Sequence, residues 1–257
     1  MEAQRLLRGG LGRARTLVDR AYSRAELAGN PRLLIVPRYG ERLVLREVSW
    51  LLTGRDLVVY DVGAASGTFA AAAASLRDVS CVFAFEPLPN SFSQLQKRAQ
   101  GNPKLRCFNV ALGDERGAAT LFGSSVPDTS SLLIATAQLE ELVPTALNGG
   151  EVAVEVVTLD DFVDRAGLPP PDLVKIDVQG FEDRVIRGGE RTIACADYCV
   201  IELSFERLYH ESPLFDDIHA QLHDLGFRLA GFFGRLRDAR GRILQTDGIF
   251  ERADRRT

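Results

Sequence analysis

The sequence predicts an α/β protein whose sheet is doubly wound and mostly parallel and ends in an antiparallel hairpin. Short continuous apolar runs, which are typical of strands buried on both faces, alternate with helical patterns at least five times. Two final apolar runs, at 227–233 and 243–250, predict the terminal hairpin. A chain of 257 residues with 46% hydrophobic residues can bury one such domain with a small appendage.

The predicted elements follow one another from residue 57. Strands are predicted at 57–62, 81–86, 105–110, 118–122, 152–157, 173–178 and 198–203, before the hairpin. Helices are predicted at 69–76, 90–100, 132–142, 159–166, 181–188 and 213–225. Gly226 then ends the last helix, because glycine readily adopts the left-handed conformation found after helices.

Charge divides the chain into a basic beginning and an acidic remainder. Residues 1–46 carry ten Arg and four acidic residues, whereas the net charge of the whole chain is −4. Interrupted apolar residues at 4–28 predict a basic helical extension over 1–46, followed by one domain over 47–257. The acidic domain argues against nucleic-acid binding. No run reaches the roughly 18 apolar residues that span a bilayer, and no signal peptide is evident, so we expect a cytoplasmic protein.

Cysteines and histidines give little support for a metal or redox site. The cysteines form no C-x-x-C pair, so we expect buried, reduced thiols at Cys81, Cys107, Cys195 and Cys199. His219 and His223 have the i, i+4 spacing of a zinc-binding helix, but no third ligand has a persuasive spacing and neighbouring acids predict a solvated face.

The strongest local signal is the turn that follows the strand at 57–62. Asp61, Gly63 and Gly67 form a D-x-G-x-x-x-G pattern, with the small residues Ala64 and Ser66 between the glycines. Small residues let the backbone approach a ligand, and the following helix begins with free N–H donors. The pattern resembles motif I of class I S-adenosylmethionine-dependent methyltransferases, in which the carboxylate at the turn suits a cationic amino group.

A second acidic residue, Glu86, ends the next predicted strand. A carboxylate in this place can accept hydrogen bonds from both ribose hydroxyls of a nucleoside. It lies 19 residues after Gly67, a spacing that agrees with either a methyltransferase or an NAD enzyme. The dinucleotide fingerprint G-x-G-x-x-G is missing, however, because Ala65 and Thr68 stand where it requires glycine. An NAD-dependent oxidoreductase therefore remains a weaker alternative.

Several strings resemble, in the right order, the signature of the FkbM family of methyltransferases. They are NVALGD at 109–114, TSSL at 129–132, VTLD at 157–160, KIDVQGFE at 175–182, VIRGG at 185–189 and VIELS at 200–204. The resemblance covers roughly residues 47–250. Two departures stand out: Gln179 takes the place of the family's usual Glu, and Ala65 replaces an Asn of the glycine-rich loop.

The resemblance implies an O-methyltransferase that uses S-adenosylmethionine on a hydroxyl of a sugar, glycan or polyketide-type metabolite. It also implies that Asn109 and Ala111 lie near the adenine, while Asp61, Gly63, Gly67 and Glu86 hold the rest of the cofactor. A homodimer is possible. Gln179 keeps a second alternative open, a non-catalytic binding or scaffold module that retains the fold.

Candidate catalytic residues lie at the ends of two later strands, where open α/β sheets bind ligands. Lys175 and Asp177 alternate on one strand, so both side chains point to the same side. Glu202, near the end of the next strand, is expected to face Asp177, and the two carboxylates could hold a divalent cation, although a metal is not favoured. His210 is a candidate base in the following loop.

The segment 123–150 interrupts the alternation of strands and helices. Long insertions of this kind often form lids or binding loops, so we expect it to cover the substrate. Ser130 and Ser131 in this segment can bind a polar acceptor or the cofactor, although ordinary turn hydrogen bonds explain them equally well.

Overall fold

The computed structural model describes five stretches of the chain: 48–54, 56–122, 130–142, 150–238 and 240–254. The expected helical extension at 1–46 lies outside these residues, and so does half of the expected cover at 123–150, namely 123–129 and 143–149.

Two sheets make up the β structure of the described residues. The strands are Leu57–Val62 (β1), Val79–Phe85 (β2), Leu105–Phe108 (β3), Ala111–Leu112 (β4), Gly117–Phe122 (β5), Glu151–Val157 (β6), Leu173–Ile176 (β7), Tyr198–Ser204 (β8), Phe227–Arg237 (β9) and Ile243–Arg252 (β10). The main sheet has seven strands in the order β3-β2-β1-β7-β8-β10-β9, and the small sheet has the order β4-β6-β5. β1, β2, β3, β7 and β8 pair in parallel, whereas β10 runs antiparallel to both of its neighbours. The predicted doubly wound sheet with a terminal antiparallel hairpin is confirmed.

Helices connect the parallel strands and cover the sheet. They are Thr68–Ala74 (α1), Pro89–Ala99 (α2), Ala137–Leu142 (α3), Leu159–Ala166 (α4), Glu182–Gly188 (α5), Glu190–Ile193 (α6) and Phe215–Asp224 (α7). None of these described helices is both long and apolar enough to cross a membrane.

β1 shows how the sheet divides the core into two layers. Val59 packs in the same apolar layer as Ala70 and Ala72 of the alanine-rich helix α1. Tyr60 and Val62 point into the opposite layer, as the two-residue period of a strand requires. All five side chains are buried, so both faces of the sheet are covered.

The strand predicted at 105–110 was wrong at its end. It stops at Phe108, and the chain then enters the small sheet as β4. Asn109 fixes the change of direction, because its side-chain amide donates to the carbonyl oxygens of Glu86 and Pro87, both at 2.9 Å.

The helix predicted at 132–142 is shorter than its apolar pattern suggested. It begins only at Ala137, because the preceding residues are extended and tied to a neighbouring loop. Ala135 forms an isolated β-bridge with Tyr209, and the backbone N–H of Thr136 donates to the carbonyl oxygen of Leu208 at 2.9 Å.

The cysteines are free thiols, but their predicted burial was only partly right. Cys199 is buried, and burial raises the pKa of its thiol to about 12. Cys81 and Cys107 are partly buried. Cys195 is exposed, contrary to expectation, because it follows the short surface helix α6.

Candidate active site

A cavity of about 590 Å³ opens at the carboxyl edge of the parallel strands. Seven of the sequence-predicted site residues line it: Gly63, Ala64, Ser66, Glu86, Ala111, Lys175 and Asp177. The other five, Asp61, Gly67, Asn109, Glu202 and His210, do not. The turn after β1 and the ends of β2 and β7 therefore meet around one space, as the strand order requires.

The glycine turn after β1 is packed too tightly for side chains. Gly63 has a φ of 76°, and a Cβ there would lie 1.8 Å from the backbone oxygen of Asp177. Gly67 has a φ of 83°, and a Cβ there would lie 2.6 Å from Leu95 Cδ1. Both positions need glycine for conformation and for space. The approach of a ligand to the backbone of this turn stays a prediction.

Glu86 is held beside this turn by backbone donors. Its Oε2 accepts a hydrogen bond from the N–H of Ala65 at 2.8 Å, and its Oε1 accepts one from the N–H of Leu88 at 2.9 Å. The residue is only 5% exposed but lines the cavity. A carboxylate oxygen can accept more than one hydrogen bond, so a carboxylate on the cavity wall is a suitable acceptor for the hydroxyls of a ribose.

Asp61 lies in the body of β1, whereas the sequence placed its carboxylate at the turn itself. The residue is completely buried behind the cavity wall. No described residue hydrogen-bonds to its carboxylate oxygens within 3.5 Å, and Lys175 Nζ lies 3.6 Å from Oδ1. Burial raises the pKa of Asp61, although the nearby Lys175 opposes that shift. Its contact with the cofactor stays a prediction.

Lys175 forms ion pairs with two carboxylates at the end of β7. Its ammonium lies 3.0 Å from Asp177 Oδ2 as well as 3.6 Å from Asp61 Oδ1. Burial alone would lower the pKa of Lys175, but these two carboxylates raise it above its usual value. The predicted side-by-side placement of Lys175 and Asp177 is confirmed, and the amine is a fixed cation rather than a base.

Gln179 joins the two carboxylates that the sequence expected to face each other. Its Nε2 donates to Asp177 Oδ1 at 3.0 Å and to Glu202 Oε2 at 2.8 Å. Its own Oε1 accepts a hydrogen bond from the Tyr209 hydroxyl at 3.1 Å. The backbone of Gln179 is left-handed, with a φ of 57°, and its carbonyl oxygen accepts from Ser131 Oγ at 2.5 Å. Ser131 thus supports the site through Gln179.

Two further acidic residues near this cluster escaped the sequence interpretation. Glu182 accepts from the backbone N–H groups of Val178 and Gly180, and burial raises its pKa to about 7. Asp247, on β10, lines the cavity, and burial raises its pKa to about 7 as well. Glu182 also begins helix α5, and no local sequence pattern points to Asp247.

The histidines lie away from the cavity. His210 is exposed, and its backbone N–H donates to the carbonyl oxygen of Ile134 at 2.8 Å. His219 and His223 stack on α7 with ring centroids 6.4 Å apart. Within the described stretches, no group of three or more His, Cys, Asp or Glu side chains is arranged to hold a metal ion. The role of His210 as a base stays a prediction without support from its position.

The sheet order, the glycine turn and the acid at the end of β2 define a class I, Rossmann-like methyltransferase that depends on S-adenosylmethionine. Comparison with known proteins narrows the class. The chain belongs to the FkbM family of methyltransferases, because the family described as "Methyltransferase FkbM domain" matches residues 61–229.

Three relatives illustrate the family. The 2-O-methyltransferase NoeI of Sinorhizobium fredii is 30% identical over 173 residues, which are 65% of this chain and 71% of NoeI. The 31-O-demethyl-FK506 methyltransferase FkbM of Streptomyces tacrolimicus is 32% identical over 190 residues, 63% of this chain and 70% of that protein. The hexuronic acid methyltransferase AglP of Haloferax volcanii is 26% identical over 170 residues, 63% of this chain and 60% of AglP.

Proposed function

We propose that the chain transfers the methyl group of S-adenosylmethionine to a hydroxyl oxygen of an uncharged sugar or glycan. The observation that carries the proposal is that one cavity is lined by two chemically different groups of residues. Glu86 and the small residues of the glycine turn form the first group, and the carboxylates of Asp177 and Asp247 with the ammonium of Lys175 form the second.

The first group suits the cofactor. Gly63, Ala64 and Ser66 line the cavity with small residues, so a nucleoside can approach the backbone of the turn. Glu86 offers a carboxylate to ribose hydroxyls, and Ala111 adds an apolar lining residue. Asp61 contributes a buried carboxyl group next to the turn. We propose that these residues hold S-adenosylmethionine, which supplies a methyl group on a positively charged sulfur.

The second group suits a hydroxyl-bearing acceptor. Hydroxyl groups donate to carboxylates, and Asp177 is oriented by Lys175 and Gln179 to receive such a donor. Methyl transfer from a sulfonium needs mainly positioning and the exclusion of water, since the leaving group departs readily. An alcohol also gains from a base that takes its proton during the transfer.

The charge of the cavity selects among acceptors. Among its described lining residues, Lys175 is the only basic side chain, whereas Glu86, Asp177 and Asp247 are acidic. Lys175 is already paired with two carboxylates, so no free cation remains there for an anionic group. This excess of acidic groups favours the hydroxyl of a neutral sugar over a nucleic acid. It also favours a neutral sugar over a hexuronic acid, the kind of substrate in the name of AglP.

An acceptor panel tests the proposal. The full chain is incubated with S-adenosylmethionine carrying a ¹³C-labelled methyl group and, separately, with methyl glycosides of glucose, mannose and galactose or with glucuronic acid. We expect mass spectrometry and NMR to show a labelled methyl ether on at least one neutral glycoside, with weaker transfer to glucuronic acid. Transfer to glucuronic acid alone would contradict the neutral acceptor, and transfer to none of the sugars would contradict the sugar class.

A further inference from the structure

The further inference concerns Asp247, which the strand register places beside the reacting groups. Asp247 on β10 pairs with Glu202 on β8, and Lys175 on β7 pairs with Val200, two residues before Glu202. Directly paired residues project from the same face of a sheet, and so do residues two apart on one strand. The side chains of Asp247, Glu202 and Lys175 therefore share the face that borders the cavity.

The other two carboxylates on this side of the sheet accept hydrogen bonds from protein side chains. Asp177 Oδ2 accepts from Lys175, and Asp177 Oδ1 accepts from Gln179. Glu202 Oε2 accepts from the same Gln179 amide, and Glu202 does not line the cavity. These hydrogen bonds fix the orientation of both carboxylates within the protein.

Asp247 differs from Asp177 in its hydrogen bonds and from Glu202 in lining the cavity. It lines the cavity, and no described residue donates a hydrogen bond to its carboxylate. Gly234 of β9 makes room beside it, since a Cβ at that position would lie 2.5 Å from Asp247 Oδ2. One oxygen of the carboxylate therefore remains accessible to a ligand in the cavity.

We propose that Asp247 is the general base that accepts the proton of the acceptor hydroxyl. The inference rests on the proposed O-methyl transfer. As the acceptor oxygen forms its bond to the methyl carbon, the carbon–sulfur bond breaks and its electron pair stays on sulfur, which becomes a neutral thioether. The hydroxyl proton moves to Asp247, and the resulting carboxylic acid later releases it to water.

The electrostatic surroundings suit this role. The pKa of Asp247 is raised to about 7, mainly by burial and in addition by the nearby Asp177, while Lys175 opposes the shift. Glu202 faces Asp247 from β8, whereas the cavity-lining residues of β9, Phe233 and Gly234, carry no titratable group. A base whose pKa lies near the working pH is largely deprotonated and still has a high affinity for a proton.

The first experiment compares Asp247→Asn with Asp177→Asn and the control Glu251→Gln, using the best neutral glycoside of the panel. Glu251 lies on the same strand but pairs with Arg228 outside the cavity. We expect Asp247→Asn to lower kcat about 10²–10⁴-fold. The variant should also lose the rise of kcat/KM with pH near 7, while the Kd for S-adenosylmethionine is unchanged. Asp177→Asn should keep that rise, and Glu251→Gln should behave as wild type.

The second experiment needs no acceptor. The chain is labelled with ¹³C at the aspartate carboxyl carbons, and its NMR spectrum is followed from acidic to alkaline pH with Asp247→Asn as the assignment control. A signal that titrates near pH 7 and is absent from the variant supports the proposal. A midpoint at the ordinary pKa of aspartate, or a pH-dependent rise in activity that survives in Asp247→Asn, overturns it. If the wild type methylates no sugar but this titration appears, the acceptor class is wrong and the base assignment stands.

Discussion

Gln179→Glu tests whether the amide of Gln179 holds the carboxylate cluster together. The change replaces a donor with a third carboxylate between Asp177 and Glu202, whose oxygens lie 3.0 and 2.8 Å from the present amide nitrogen. Burial already raises the pKa of Glu202 well above its usual value, and Asp177 and Glu182 raise it further. The introduced carboxyl therefore enters a site that resists another negative charge.

The magnitude follows from the hydrogen bonds and from proton linkage. A hydrogen bond to a charged group contributes about 1.5–3 kcal/mol. At low pH the introduced carboxyl remains protonated and donates only one of the two hydrogen bonds that the Gln179 amide makes. The loss of the other bond lowers the free energy of unfolding of the variant by about 1.5–3 kcal/mol. The pKa of the introduced carboxyl is expected to be higher in the folded state than in the unfolded state. Between these two pKa values, the folded state therefore binds more protons at this carboxyl than the unfolded state does. Stability relative to wild type then falls by about 1.4 kcal/mol per pH unit between those two pKa values.

Urea unfolding at several pH values measures this dependence. Wild type, Gln179→Glu and the exposed control Gln96→Glu on α2 are compared between pH 5 and pH 8. We expect the unfolding free energy of Gln179→Glu to diverge from wild type as pH rises, while the control stays parallel. Parallel curves for Gln179→Glu and wild type would refute the bridging role of the amide.

Two further substitutions probe the turn and the ion-pair cluster. Gly63→Ala should destabilise the chain by about 2–3 kcal/mol more than Gly101→Ala in urea unfolding, because both glycines have a φ of 76° but only a Cβ at 63 meets backbone; equal losses would contradict the packing argument. Lys175→Met should cost about 3–5 kcal/mol at pH 7 by leaving the buried Asp61 and its neighbour Asp177 without a cation. That loss should shrink as the pH falls and the carboxylates take up protons, and a pH-independent loss would indicate packing instead of charge.

Features of the fold that depend on residues close together in the sequence were predictable from that sequence. The apolar run at 57–62 and the glycines that follow it fix a buried strand and a tight turn. Lys175 and Asp177 meet because residues two apart on an extended chain share a side. The strand end at Phe108 was missed because a distant contact, from Asn109 to the end of β2, ends the strand there.

Contacts that depend on long-range register were beyond the sequence. Asp247 reaches the cavity only because β10 pairs with β8 in one particular register, next to a hairpin partner with several irregularities. Gln179 bridges Asp177 and Glu202 because its backbone is left-handed, which is uncommon for a residue other than glycine. Neither condition leaves a pattern in the neighbouring residues.

The proposed cofactor site places the ribose of S-adenosylmethionine on Glu86. Calorimetric titration of the full chain with S-adenosylmethionine measures this contact in wild type and in Glu86→Gln, with the exposed Glu190→Gln as control. Losing one hydrogen bond to a charged acceptor costs about 1.5–3 kcal/mol. Wild type and the control should therefore bind one molecule per chain with equal affinity, and Glu86→Gln should bind about 10–150-fold more weakly. Undetectable binding to folded wild type, or equal affinity in Glu86→Gln, would contradict the claim.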